Sequence, residues 1–376
     1  MTPAPRHAGL DTLRALAITL VFAYHYRVFV SATPDLGWVS ELGWAGVDLF
    51  FVLSGYLIGN QVFAGLARGE AFSAPRFYLR RALRTLPAFW VVLALFFAFP
   101  GELGGRTPPP LWRFLTFTQN IGLQPGTAFS HAWSLCVEEQ FYLVLPLVVL
   151  AGVACGGGRR AGWCLLAALL AVGVGARIVL WQRFGLERDG HTEGHQVWIY
   201  YNTLCRFDEF LPGLALAMLK NFHPRLWGRF VLPHGGRWLA GGVLAVGAVG
   251  VLAARTLYID GYGYGFAMTA FGYSLLALAF ALLVAAALSP SSWLARHAVP
   301  GAGPLARASY SLYLTHKPVA HWVHAHAGLS GWAELVAVTL AAGLAGGLLY
   351  RLVEAPMLAL RDRRCPSAAP WRGVPA

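Results

Sequence analysis

Charge is what this chain has least of. Only 12% of its 376 residues are Asp, Glu, Lys or Arg, against roughly 25% in a typical soluble domain, while 57% are apolar. That balance excludes a soluble globular fold for most of the length. Acidic residues are scarcer still, 17 against 29 Lys and Arg. The resulting charge of +12 is not laid out as a nucleic-acid footprint, because no basic patch interleaves aromatics with cations as single-strand binders do. The five cysteines, Cys136, Cys155, Cys164, Cys205 and Cys365, form no paired spacing, which argues against a disulfide framework or a zinc ribbon. A P-loop is missing too: CGGGRR at 155–160 follows no strand and lacks G-K-[ST]. Without a G-x-S-x-G elbow, Ser54 has none of the context of a hydrolase nucleophile.

What the sequence does have is long apolar runs. Ten approach or reach span length, at 10–30, 46–64, 83–99, 134–154, 163–181, 207–219, 238–254, 266–288, 308–325 and 333–353, the sixth being the shortest. The expected fold is an all-α membrane protein, a bundle of about ten transmembrane helices. Lys and Arg concentrate in alternate loops, notably Arg68 to Arg84, Arg159 with Arg160, Lys220 to Arg237, and Arg296 with Arg307. By the positive-inside rule these loops are cytoplasmic, so both termini are expected inside and the protein in the cytoplasmic (inner) membrane, in contact with anionic lipid. The first run is too long, and too interrupted by Tyr24, His25 and Tyr26, for a cleaved signal peptide. Residues 1–360 read as one membrane domain and 361–376 as a basic cytoplasmic tail without order.

Within the first run stand Arg14 and His25, eleven residues apart, which in a helix is about 16 Å of rise and about 1100° of rotation, so they share a face. An Arg at the centre of a span costs about 2.5–3.5 kcal/mol on insertion scales, and ionisable groups there usually face a working interior. A snorkelling Arg and a hydrogen-bonded core His are the structural alternatives. Asp48 opens the second run, either to complement the helix dipole or to orient His25, expected at the same depth. Gly46, Gly55 and Gly59 permit close helix approach. Before the third run, Arg76, Arg80 and Arg84 recur at four-residue spacing with Arg81 beside them, a guanidinium face suited to phosphate or to lipid.

Glu138 and Glu139 are adjacent and cannot share a helix face. One is expected to face the bundle, where it would pair with Arg206 or hold the imidazole of His25. Arg206, Asp208 and Glu209 gather at the outer mouth, as a binding group or as ion pairs among themselves. His316 lies inside the ninth run, either lining a cavity or bonded to a neighbouring carbonyl, and Glu354 is placed to neutralise a nearby Arg. His191, Glu193 and His195 offer ligand types in one loop but no supporting fold, so no metal is expected. Sorted by depth, Arg14 and the Arg76 to Arg84 group lie inside, and the His25, Asp48 and Arg206 groups outside. That layout suits a phosphate-bearing cytoplasmic donor and an extracytoplasmic hydroxylated acceptor. The pantetheine arm of coenzyme A is of the order of the rise from Arg14 to His25, and an imidazole suits general-base work near neutral pH.

Arg14 with His25, GVDLFFVLSGYLI from Gly46, RRALR at 80–84, WSLCVEEQFY from Trp133, RFDEFLPG from Arg206, SYSLYLTH from Ser309 and VEAP from Val353 occur in order along nearly the whole chain. This set resembles the acyltransferase-3 family of bacterial integral-membrane O-acyltransferases. The resemblance implies ten spans and transfer of an acyl group, commonly acetyl, from acyl-CoA to a hydroxyl of an envelope glycan, lipid or small metabolite. It implies that His25 and Arg14 are the essential pair and that Arg81 with Arg84 form the cytoplasmic Arg-x-x-Arg element. Asp48, Glu138 and Glu139 are further catalytic candidates. Arg80 joins Arg14, Arg81 and Arg84 as a donor-binding candidate, and Arg206, Asp208, Glu209 and His316 are acceptor-binding candidates. Some members carry an added extracytoplasmic esterase-like domain. This sequence stops after the tenth run, so transfer is expected to be completed by the membrane domain or by a separate partner. The competing reading is a transporter or flippase for a lipid-linked or anionic solute, but no second copy of the Arg14 and His25 pattern supports two related halves. A third, a structural partner of a glycan-assembly complex, has no positive support in the sequence.

Overall fold

A computed structural model describes residues 7–31, 36–70, 72–185, 193–258 and 263–365. The long helices are α1 (Ala8–Tyr26), α2 (Ala45–Ala67), α3 (Ala74–Ala98), α4 (Trp133–Ala154), α5 (Arg159–Leu180), α6 (Leu211–Phe222), α7 (Gly235–Thr256), α8 (Tyr273–Leu288), α9 (Ala302–His326), α10 (Gly331–Leu349) and α11 (Ala355–Arg364). Strand pairing among the described residues is confined to a hairpin of Leu257–Tyr258 with Gly263–Tyr264 and one isolated bridge between Arg106 and Thr127. A bundle of apolar helices is the arrangement hydrocarbon permits, because each helix satisfies its own backbone hydrogen bonds.

Among the described residues eight helices are long and apolar enough to cross a membrane. Two of the ten expected runs are not among them. α6 has only 12 residues, and α9 has 25 but includes four His and a Lys, which lower its hydropathy. The expected disordered tail is also corrected at its start: Arg361, Arg363 and Arg364 belong to α11, which packs on α3. The rest of that tail, 366–376, lies outside the described residues.

α2 and α8 are the central helices, with 56% and 72% of their apolar windows buried against 11% for α5. Glycine sets how close the centre packs. A Cβ on Gly55 of α2 would collide with the carbonyl oxygen of Phe210, and one on Gly213 of α6 with that of Val52. Gly46 and Gly59 are similarly tight, against Ala17 of α1 and Leu214 of α6, so all three expected glycine contacts form. α1 lies between α2 and α9, and this brings the Arg14 and His25 face against both.

Candidate active site

A cavity of about 280 Å³ runs along α2 and meets α1 at Arg14. Arg14 of α1 and Arg81 and Arg84 of α3 line it together, a convergence of three guanidinium groups that fits an oligophosphate. Arg81 also lies over the ring of Tyr142, 5.4 Å from its centroid. Arg80 does not join them. One residue is about 100° of helix rotation, and Arg80 turns away to donate to the Cys365 carbonyl and to face Asp362 at 3.8 Å, holding α11.

Both glutamates sit at this cavity or beside it, not with Arg206 or His25 as expected. Glu138 lines it and accepts hydrogen bonds from Ser54 and Tyr142 through Oε1. Glu139 turns toward Thr85, Arg81 and Arg84. Glu354 accepts from Ser311 at 2.6 Å and has Arg84 and Arg14 as its charged neighbours, so it does offset the arginines.

Ser134 and Tyr313 form part of the cavity wall. Behind that wall is a cluster of three imidazoles, His25, His131 and His316, with ring centroids 4.9 to 6.3 Å apart. Tyr313 Oη donates to the His131 carbonyl (2.6 Å) and bonds Ser134 Oγ (2.6 Å), and its ring lies 5.9 Å from His131 and 5.7 Å from His316. A single side-chain layer therefore separates the arginine-lined space from the imidazoles.

The hydrogen-bond partners assign the tautomers. His316 Nδ1 stands 3.0 Å from the Leu312 carbonyl oxygen, which can only accept, so Nδ1 carries the proton and Nε2 is an acceptor. His25 Nδ1 stands 2.7 Å from that Nε2 and must donate. The proton of neutral His25 is thus held on Nδ1, and Nε2 keeps its lone pair. A base oriented through its other ring nitrogen is the arrangement general-base catalysis uses. Of its two alternatives His316 takes the second: it bonds a neighbouring carbonyl and does not line the cavity, and its Nε2 accepts from His25.

Asp48 is not the residue that orients His25. Its Oδ1 accepts from Arg206 Nη2 at 3.1 Å, and Arg206 also donates from Nε to Glu209 at 2.5 Å; all three side chains are 0% exposed. The guanidinium is further enclosed by Tyr273, Tyr200 and Trp133, with centroids at 4.2, 4.7 and 5.1 Å. Asp208 belongs to a second closed group, paired through both oxygens with Arg177 at 2.6 and 2.9 Å, while Arg177 also donates to the Cys205 and Ala270 carbonyls. The acceptor-binding expectation for Arg206, Asp208 and Glu209 gives way to ion pairs inside the protein, because neither group opens on the cavity. Wholly buried charges of this kind have to be paired to be tolerated.

The loop considered for metal ligation brings only His195 into view, since His191 lies outside the described residues and so does the Glu193 side chain. His195 Nε2 donates to Thr269 Oγ1 at 3.2 Å. Burial, then the Arg206 charge, pushes its imidazole down to about 4. No group of three His, Cys, Asp or Glu among the described residues could hold a metal ion, and all five cysteines are free thiols.

Several site residues escaped the sequence reading. Ser54, Tyr142 and Tyr313 lie inside the motifs without their spacing giving them a role, and His131 lies two residues before the motif that starts at Trp133. Arg177 belongs to no motif, and its place within the apolar run 163–181 is the one sequence signal that it is buried. Lys317, directly after His316, was also passed over.

Comparison with known proteins follows the same outline. The acyltransferase-3 family model, described as an acyltransferase domain, matches residues 7–351. The chain is 26% identical over 382 residues to the O-acetyltransferase OatA of Staphylococcus aureus, covering 94% of this chain and 58% of that protein. It is 28% identical over 232 residues to the peptidoglycan O-acetyltransferase OatA of Listeria monocytogenes, covering 57% of this chain and 34% of that one. It is 28% identical over 393 residues to BcsY of Komagataeibacter xylinus, whose name proposes a membrane-bound transacylase, covering 99% and 88%. The chain thus spans little more than half the length of the OatA proteins at most, and no solved structure matches it. Its match to the family model over nearly its whole length places the chain in the acyltransferase-3 family.

Proposed function

We propose that the protein is a membrane O-acyltransferase that moves an acyl group, acetyl in the simplest case, from acyl-CoA to a hydroxyl of an envelope glycan, lipid or small metabolite. The observation that carries this reading is the cavity lined by Arg14, Arg81 and Arg84 and, elsewhere on its wall, by Tyr313, whose ring packs on the His316 that bonds His25. The guanidinium groups bind the donor's phosphates, the arm lies in the cavity past Ser54 and Glu138, and the thioester is presented toward His25 once the Tyr313 ring gives way. The acceptor hydroxyl loses its proton to His25 Nε2 as its oxygen adds to the acyl carbonyl. The C–S bond then breaks, and the proton passes to the departing thiolate. His316 takes the hydrogen bond from Nδ1 throughout and keeps the ring in its working tautomer. The names of the OatA relatives favour a glycan acceptor.

Ten spans, cytoplasmic termini and a place in the inner membrane complete the reading. α6 is preceded without a break by the helical turns Thr203–Arg206 and Phe207–Phe210, and a segment of 20 residues, 203–222, rises about 30 Å, one hydrocarbon thickness. α9 turns His316 and Lys317 toward the bundle, where polar groups are tolerated, and carries the exposed His324 and His326 at its end.

The test uses purified protein in detergent, isotope-labelled acetyl-CoA and chitotetraose, with acetylated product read by mass spectrometry. His25→Ala is expected to lower kcat by about 10²- to 10⁴-fold. Undiminished turnover in a monodisperse His25→Ala preparation would exclude the base role.

A further inference from the structure

One buried cation at the His25 end is left over once the histidines have been assigned. Lys317 of α9 is 7% exposed. Its Nζ donates to Ser130 Oγ at 3.0 Å and lies 4.1 Å from the centroid of Phe29, whose ring in turn stacks on His25 at 5.6 Å. Among the described residues no carboxylate comes within salt-bridge distance of it. The fully buried Arg177 and Arg206 are, by contrast, each matched by carboxylates. An ammonium held by one hydroxyl and one ring face has hydrogen-bonding capacity to spare. Burying it without a counter-charge is unfavourable. Its charged and titratable neighbours are imidazoles, namely His316 beside it in sequence, His25, His131 and His321. Among the described residues the site therefore presents a positive charge with no carboxylate against it, beside a base, at the end where the acceptor arrives.

Resting on the reading above, we propose that the Lys317 ammonium, fixed by Ser130, stabilises the oxyanion of the acyl-transfer step at His25. When the acceptor oxygen bonds to the acyl carbon, the carbonyl π pair moves onto oxygen, and that negative charge is what Lys317 meets. When the C–S bond breaks, the pair returns to re-form the carbonyl, and the thiolate takes the proton from His25. The charge on Lys317 is matched only in the transition state and intermediate, so the interaction lowers the barrier rather than tightening substrate binding.

The experiment measures acetyl transfer from acetyl-CoA to chitotetraose, a neutral acceptor, by wild type, Lys317→Met, Lys317→Arg and Ser130→Ala. Lys317→Met is expected to lower kcat about 10²- to 10³-fold with KM for acetyl-CoA changed less than threefold. Lys317→Arg should keep more activity than Lys317→Met, and Lys317→Ala should regain turnover when ethylammonium is added. A packing role would not produce that rescue. Lys317→Met within twofold of an active wild type would overturn this assignment while leaving the acyltransferase reading intact; a rise in acceptor KM with kcat unchanged would do the same and assign the ammonium to acceptor binding. A wild type that transfers nothing, with donor intact, would overturn both. Should Lys317→Met not fold, Ser130→Ala and the amine rescue of Lys317→Ala decide the question.

Discussion

His25 owes its free lone pair to a carbonyl two bonds removed. The Leu312 oxygen fixes the proton on His316 Nδ1, His316 Nε2 then accepts from His25, and Nε2 of His25 is left for chemistry. A residue at 316 that can accept should therefore preserve function and one that cannot should lose it. His316→Phe is expected to lower kcat about 10- to 100-fold, part of the 10²- to 10⁴-fold a positioned base supplies. His316→Gln should recover much of that loss, read as kcat against KM in the transfer assay. His195 carries a separate prediction. Its imidazole is held below the ordinary 6.5, at about 4, so between those values the unfolded chain binds a proton that the folded chain does not. Stability is then present above pH 6.5 and is lost as the pH falls toward 4. Melting temperature followed from pH 7 to pH 4 should drop, and His195→Gln should flatten the slope.

At the scale of the element, α3 separates residues that are neighbours in sequence. Arg81 and Arg84 reach the cavity, while Arg80 holds α11. Arg81→Gln and Arg84→Gln are each expected to raise KM for acetyl-CoA about tenfold, one charge-assisted phosphate contact each. Arg80→Gln should leave that KM within about twofold and instead loosen α11. Equal effects from all three would assign the group to lipid. The four-residue repeat of Arg76, Arg80 and Arg84 was legible in the sequence and implied one basic face. Which edge of that face meets α1 was not, because it depends on the rotation of α3 about its axis, which is set by packing. The glutamates teach the same lesson. Their adjacency showed that they must diverge, but both turned to the arginine end, because Glu138 finds two hydroxyl donors there in Ser54 and Tyr142.

For the whole molecule the decisive property is sidedness. The turn between α4 and α5 holds Cys155, an exposed free thiol. With the N-terminus inside, an even number of crossings returns the chain to the cytoplasm there. A membrane-impermeant thiol reagent is therefore expected to label Cys155 in inverted vesicles and not in spheroplasts, with Cys164→Ala removing the other exposed thiol. Labelling from the outside would reverse the topology and with it the side on which the donor enters.

The sequence by itself determined the helical membrane architecture, since apolar runs of span length leave the backbone no other way to satisfy its polar groups. It also determined the shared face of Arg14 and His25, since that follows from helical rise and rotation alone. Only the tertiary structure decided the distant partners: Arg206 with Asp48, Arg177 with Asp208, His25 with His316. Those pairings join residues as far apart as 291 positions in the chain, and charge matching in a low-dielectric interior is settled by which helices touch. No local spacing records that.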